Sequence, residues 1–284
     1  MVKTALALGT FDGVHKGHFA VLKSAAEAKY KSVAVAFKFP PKMYIQNKNI
    51  AINNPKQKEA LIKGLGINRV DFLNFKKVKN IEPEKFLKFL VKKYNPAVIS
   101  CGFNYHFGKN GKGNIALLQE FCNDNNIILK VADPVLYKDR TVSSTYIREL
   151  LSCGNISRAN ELLRLPFGFT AKVIKGDKRG RTIGIPTINQ NYPENLINVK
   201  RGVYKSKVLI NEKEYFGVTN IGLRPTFATK KITAETHILN FNGNVYGQNV
   251  TIQLLEFIRE EQKFSTINEL KNKIENDIKN LTFN

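Results

Sequence analysis

The sequence predicts an α/β chain of two units, an N-terminal doubly wound parallel sheet followed by a small closed β-barrel with a C-terminal helix. Three observations carry this. Through the first half, short apolar runs alternate with helical apolar periods, the pattern of a parallel sheet covered by helices on both faces. From residue 169 the signal changes to β-branched and aromatic runs broken by Gly, Asn and Pro, which reads as antiparallel strands closing on themselves. Between the two, Leu165-Pro166-Phe167-Gly168 interrupts both periods. The predicted domains are therefore 1–165 and 166–284, and 284 residues suffice for two separate cores.

In the first domain the apolar runs 5–8, 33–37, 70–73, 97–100 and 127–131 are short enough to be buried strands. Helical spacing falls between them, over 19–29, 57–65, 83–93 and 115–123. A helical pair follows over 145–151 and 157–163, with Gly154 as the stop between its members. The barrel strands are expected over 170–174, 203–210, 215–219, 234–239 and 250–255. Thr266-Ile267-Asn268-Glu269 is a capping box, and Ile267, Leu270, Ile274, Ile278 and Leu281 give the helix it opens one apolar face, expected to pack on the barrel.

Composition excludes several classes. Hydrophobic residues at 43% and charged residues at 24% are ordinary globular usage. Cys101, Cys122 and Cys153 are odd in number and lack CxxC spacing, so a reducing, cytoplasmic compartment is expected rather than a disulfide framework. No apolar stretch approaches the roughly 18 residues of a spanning helix, and neither secretion nor a membrane anchor is expected. The net charge of +22 is extreme and raises a nucleic-acid-binding reading. Only ten of the 45 basic residues are arginine, however, and the lysines are scattered through every element. That distribution reads as a solvated coat favouring small anionic substrates, with no nucleic-acid partner. Oligomeric state is open, with room for a weak homo-oligomer.

Chemistry concentrates in two regions. Gly9-Thr10-Phe11-Asp12-Gly13-Val14-His15-Lys16-Gly17-His18 follows the first strand and opens the first helix. A helix N-terminus there offers unpaired N–H groups, the glycines allow close approach to phosphate, and His15 and His18 can reach one polyphosphate. The segment resembles the HxGH signature of nucleotidyltransferases, and no ligand set completes a zinc site. Ser143-Ser144-Thr145-Tyr146-Ile147-Arg148 begins a later helix, where an ordinary cap explains the hydroxyls as well as phosphate binding does. Gly102-Phe103-Asn104-Tyr105-His106-Phe107-Gly108 follows the fourth strand, where a doubly wound sheet presents ligand contacts, with an aromatic loop packed on the core as the alternative.

In the second half, Gly176-Asp177-Lys178-Arg179-Gly180-Arg181 leads into Thr182-Ile183-Gly184-Ile185-Pro186-Thr187-Ile188-Asn189. Such a loop can cradle phosphate, and Thr187 and Asn189 put two neutral oxygens on one side of an extended chain, which suits Mg²⁺. Glu235 shares a strand face with His237 and Leu239. Spacing alone makes it a solvated edge residue.

The order of these motifs resembles the bifunctional riboflavin kinase/FMN adenylyltransferase family, prokaryotic FAD synthetase, over nearly the whole chain. The matching segments are 9–18, 102–108, 143–148, 176–189, Gly202-Val203-Tyr204, 219–227 and 235–239. The resemblance implies a nucleotidyltransferase-like first domain that adenylylates FMN to FAD and a second that phosphorylates riboflavin to FMN, both with ATP. It implies that Gly9, Phe11, Gly13, His15, His18, Ser144, Thr145 and Arg148 hold or act on the first ATP, with Asn104 in the flavin site. In the kinase half it implies that Gly176, Asp177, Arg179, Gly180 and Arg181 cover the nucleotide, Thr187 and Asn189 hold Mg²⁺, Arg224 and Thr226 meet the flavin, and Glu235 is the base. A kinase-only enzyme is the alternative within the family. The chain departs from the family at Pro40, where many members carry histidine, and Lys42 is the cation expected to compensate.

Overall fold

The computed structural model describes residues 2–176, 180, 184–225 and 230–279. They form two compact units, Met1–Ile147 with Leu162–Arg164, and Arg148–Glu161 with Leu165–Asn284.

The first unit holds parallel strands β1 (Thr4–Leu8), β2 (Lys31–Phe37), β3 (Arg69–Leu73), β4 (Pro96–Gly102) and β5 (Ile128–Ala132), in the order β3-β2-β1-β4-β5. Alternation explains why the strands read as unbroken apolar runs. Leu6, Leu8, Val33, Val35, Ile99 and Cys101 pack against Phe86, Leu87 and Leu90 of α5 (Pro83–Tyr94) and Leu118 and Cys122 of α6 (Ile115–Asp124). Ala5, Ala7, Ala34 and Ala36 meet Val21, Leu22 and Ala25 of α1 (Lys16–Ala26) and Ile62 of α3 (Pro55–Lys63) on the other face. Both faces of the central strands β1, β2 and β4 are covered, so those runs are almost wholly apolar, whereas β3 and β5, expected to be buried, are edge strands that stay partly exposed and carry Arg69, Asp71 and Lys130.

Short helices α2 (Pro41–Gln46) and α4 (Phe75–Val78) fall outside the predicted set. Proline opens α2, α3 and α5, at a position whose missing N–H removes no helical bond. α3 also carries a reciprocal cap: Gln57 N–H donates to Asn54 Oδ1 at 2.9 Å and Asn54 N–H to Gln57 Oε1 at 3.2 Å. The small hairpin of β6 (Leu136–Tyr137) and β7 (Arg140–Thr141) precedes α7 (Ser144–Ser152) and α8 (Ile156–Leu162).

The second unit is a closed antiparallel barrel. Its strands are β8 (Gly168–Ile174), β9 (Thr187–Asn191), β10 (Gly202–Ile210), β11 (Lys213–Pro225), β12 (Lys230–Ile238) and β13 (Asn249–Arg259), ordered β10-β11-β12-β9-β8-β13 with β13 closing on β10. Tyr204, Val208, Ile221, Ala234, Ile252 and Leu254 are buried. Three buried hydroxyls join across neighbouring strands, Ser206 to Thr219 at 2.7 Å and Thr219 to Thr236 at 2.9 Å, which satisfies polar groups that would otherwise be costly inside.

The C-terminal helix α9 (Ile267–Lys279) begins as its cap predicts, with Glu269 N–H donating to Thr266 Oγ1 at 3.2 Å. Its carboxylate reaches back one residue further than expected, to Ser265 N–H at 3.0 Å. Ile274 and Ile278 are half-buried, whereas Asp277 is buried and accepts from the Arg259 guanidinium on β13 at 2.8 Å. An ion pair thus accompanies the apolar face, and Leu281 lies outside the described residues.

Candidate active sites

In the first unit, strand order reverses between β1 and β4, the switch point where the carboxyl ends of a doubly wound sheet open a ligand crevice. Residues 9–15 leave β1 there, and residues 103–114 leave β4. The first loop is held in an unusual path. Phe11 (φ 49°), Gly13 (φ 87°) and Val14 (φ 41°) take left-handed backbone, and valine does so only where its surroundings enforce it. Phe11 and Val14 are buried, and a Cβ on Gly13 would press on Ile52 and Leu163. The Asp12 carboxylate, fully buried, accepts from Ile52 N–H at 3.1 and 3.2 Å.

This path delivers His15 to the start of α1, where its carbonyl accepts from His18 N–H at 2.8 Å and Phe19 N–H at 3.1 Å. The two imidazoles stack with centroids 3.6 Å apart and planes at 21°, and the Phe11 ring meets His18 edge-on at 5.3 Å. Two ring donors and the helix N-terminus therefore converge, with no acidic residue in the first helical turn. The arrangement can receive an anion.

Gly9 anchors the loop to β2 through its N–H and Val35 O, 3.3 Å apart. Ser144 is brought to the same loop, donating its hydroxyl hydrogen to Asp12 O at 2.7 Å, while Ser143 caps α7 by accepting from Tyr146 N–H at 3.2 Å. Thr145 is exposed beside it, and Arg148 groups with the second unit. Asn104 is exposed in the loop after β4, its carbonyl accepting from His106 Nδ1 at 3.0 Å. Pro40 is the residue before α2, and Lys42 is exposed in the first turn of that helix.

In the second unit, pairing builds the site. β8 pairs with β9 so that Ile174 faces Asn189, and Gly176 just beyond leaves room for the Asn189 amide: an added Cβ would lie 2.5 Å from its Nδ2. β12 then sets Glu235 opposite Asn189 and His237 opposite Thr187, while β11 sets Asn220 opposite Glu235. Residues directly opposite share a face, so Thr187, Asn189, Glu235, His237 and Asn220 form one polar patch. His237 Nδ1–H donates to Pro186 O at 2.8 Å, fixing the ring beside Thr187. Glu235 is exposed, as spacing suggested, and stands within this patch.

The carbonyl of Gly180 accepts from Ile185 N–H at 2.8 Å. Asp177, Arg179, Arg181 and Thr226 lie outside the described residues, as do the neighbouring Lys178, Thr182, Ile183 and Phe227, and Arg224 contributes backbone to the end of β11.

Sequence reading missed three features. Asn220 was inside a recognised motif, but only strand register reveals its neighbour. Glu261, past the end of β13, accepts from Asn220 Nδ2 at 3.5 Å. A cavity of ≈ 270 Å³ is lined by Val173, Thr187, Ile188, Ile238, Phe241 and Tyr246 among others. Its lining includes the stretch Phe241-Asn242-Gly243-Asn244, whose Asn and Gly mark a turn in the sequence without indicating that it lines a cavity.

Comparison with known proteins matches the FAD synthetase family over residues 2–146 and the riboflavin kinase family over residues 163–282. The bifunctional riboflavin kinase/FMN adenylyltransferase of Bacillus subtilis is 34% identical, over 97% of this chain and 90% of its own length. The Escherichia coli K12 protein of the same name is 31% identical, over 96% and 90%. A crystal structure from Streptococcus pneumoniae, described as a macrolide-efflux protein, superposes with a TM-score of 0.89 at 28% identity, covering 99% of this chain and 95% of that one. Among the described residues of this chain no helix is long and apolar enough to cross a membrane. Both family matches and the full-length relatives agree, and the chain belongs to the bifunctional riboflavin kinase/FMN adenylyltransferase family, whose two activities convert riboflavin to FMN and FMN to FAD.

Proposed function

We propose that the two reactions are divided between the domains 1–165 and 166–284, with FMN adenylylated in the first and riboflavin phosphorylated in the second. The observation that carries this reading is the presence of two separately built polar sites, one at the β1/β4 switch point and one on the barrel face of β9, β11 and β12. The segments matched by the two families, 2–146 and 163–282, support the same division.

In the adenylyl site, the FMN phosphate attacks the α-phosphorus of ATP and pyrophosphate leaves. His15 and His18, with the first N–H groups of α1, meet the negative charge that grows on the phosphate oxygens. Ser144 acts on the loop rather than on ATP, since its hydroxyl hydrogen is directed to Asp12 O. Gly9, Phe11 and Gly13 shape the path, Thr145 and Arg148 complete the nucleotide contacts, and Asn104 meets the flavin.

In the kinase site, Glu235 accepts the proton of the riboflavin 5′-hydroxyl as that oxygen attacks the γ-phosphorus of a second ATP. The paired oxygens of Thr187 and Asn189 beside a carboxylate suit a hard cation, and the space at Gly176 that admits the Asn189 amide fits this use. Thr187 and Asn189 would hold Mg²⁺ there, and the ion would supply charge neutralisation to the phosphates. The cavity bordered by Thr187 takes the nucleotide, covered by the segment containing Gly176, Asp177, Arg179, Gly180 and Arg181. Arg224 and Thr226 serve the flavin, and transfer depends mainly on positioning and charge. Three free cysteines, two of them buried, support a reducing cytoplasmic setting, and the scattered lysines support small-molecule substrates without nucleic acid.

Replacing His15 and His18 together by Ala tests the division. FAD formation from supplied FMN is expected to stop while FMN formation from riboflavin continues. Equal loss of both activities in a chain with intact circular dichroism contradicts it.

A further inference from the structure

Lys58 is the most deeply buried cation of the first unit. Its relative exposure is 0%, and lysine is almost never enclosed to that degree without partners for its charge. It sits in the first turns of α3, just beyond the Asn54–Gln57 cap that fixes where the helix begins. The Nζ donates to three carbonyls, Thr10 O at 3.2 Å, Phe37 O at 3.0 Å and Lys38 O at 3.3 Å. An ammonium has three N–H donors, so this oxygen cage matches its charged form.

The location of the three carbonyls gives the cage its meaning. Phe37 ends β2, Lys38 follows it, and Thr10 is the second residue beyond the end of β1. Lys58 therefore binds together two strand ends at the crevice edge of the sheet. Thr10 also immediately precedes the left-handed stretch of Phe11, Gly13 and Val14 that carries the chain to His15. A backbone in that conformation is retained only when its surroundings over-determine it. Ile52 N–H and Ser144 Oγ hold Asp12; Lys58 holds the residue two before it, from a third direction.

We infer that Lys58 is a positioning residue of the adenylyl site, fixing the path of residues 9–15 and supplying a fixed positive charge beneath the phosphates. The inference rests on the reading that His15 and His18 form that site. An ammonium in a water-excluded position attracts a polyphosphate more strongly than a surface lysine does, and its field favours charge developing on departing pyrophosphate. Lys58 touches no substrate. It acts through Thr10 and through its field.

The test uses the full chain carrying Lys58→Met, which keeps the length of the apolar stem and removes the ammonium with its charge and donors. FMN adenylylation and riboflavin phosphorylation are measured on the same preparation, beside the His15→Ala/His18→Ala variant. The expected result is a fall in kcat for adenylylation of about 100-fold, comparable to loss of an oxyanion donor, with phosphorylation within about twofold of the parent. A Lys58→Met chain that adenylylates FMN at the parent rate while the histidine variant is inactive overturns the role of Lys58. A histidine variant that remains active overturns the site reading itself. Lys58→Ala assayed with propylammonium or n-propanol separates charge from packing and still decides the matter if the methionine chain loses both activities. Restoration of adenylylation by the cation alone supports the inference, whereas equal restoration by both or by neither overturns it.

Discussion

Glu235 has an exposed side chain, and its solvent exposure alone marks no function. Its neighbours Asn189 and Asn220, set opposite it on two different strands, distinguish it from an ordinary edge carboxylate. Glu235→Gln keeps the size and removes the basicity, so riboflavin phosphorylation should fall by roughly 10²- to 10⁴-fold with little change in flavin binding, as loss of a general base does. Steady-state kinetics at saturating ATP and Mg²⁺ check this, and a parent rate removes Glu235 from the mechanism. The thiols give a second residue-scale outcome. Burial pushes Cys101 up to about 12, with the neighbouring Cys122 adding to the shift, and burial pushes Cys122 up to about 11, whereas Cys153 is exposed. Only thiolate reacts readily. Ellman's reagent at pH 8 is expected to titrate one thiol quickly in the native chain and three after denaturation.

The elements differ in how far the sequence announces them. β1, β2 and β4 are buried on both faces, so their residues form apolar runs that identify them without reference to any partner. β9 reads Thr-Ile-Asn-Gln-Asn, with little intrinsic strand preference. It is a strand because β8 and β12 pair with it, and the proposed kinase site is largely a product of that pairing. The same reason kept Asn220 and Glu261 from view, whereas His15 and His18 were legible because a single turn carries both. α1 begins at Lys16 rather than 19 because its first turn, Lys-Gly-His, carries no apolar period. At the other end, α9 is joined to β13 by the pair of buried Asp277 and partly buried Arg259. Asp277→Ala leaves the partly buried Arg259 guanidinium without this carboxylate and is expected to destabilise the barrel by about 2 kcal/mol. Arg259→Met with Asp277→Leu should recover most of that loss. Urea midpoints of the three chains measure it.

Across the whole molecule, the two compact units divide the chain differently from the periodicity break at Pro166. Residues 148–161 group with the barrel. Asn160 explains this locally, its Nδ2 donating to Leu254 O and its Oδ1 accepting from Phe167 N–H, each at 2.8 Å. Lys200 N–H also donates to Leu151 O at 3.3 Å. A fragment beginning at Arg148 is therefore expected to phosphorylate riboflavin and to melt at a higher temperature than one beginning at Pro166, which differential scanning calorimetry can compare. The central claim is that one chain carries two independent sites linked by freely diffusing FMN. The most direct measurement mixes the His15→Ala/His18→Ala chain with the Glu235→Gln chain and follows riboflavin, FMN and FAD by chromatography with ATP and Mg²⁺. Separately, the first is predicted to stop at FMN and the second to leave riboflavin largely unconverted, while the mixture produces FAD. A mixture that forms no FAD, although each chain retains its other activity, contradicts the account.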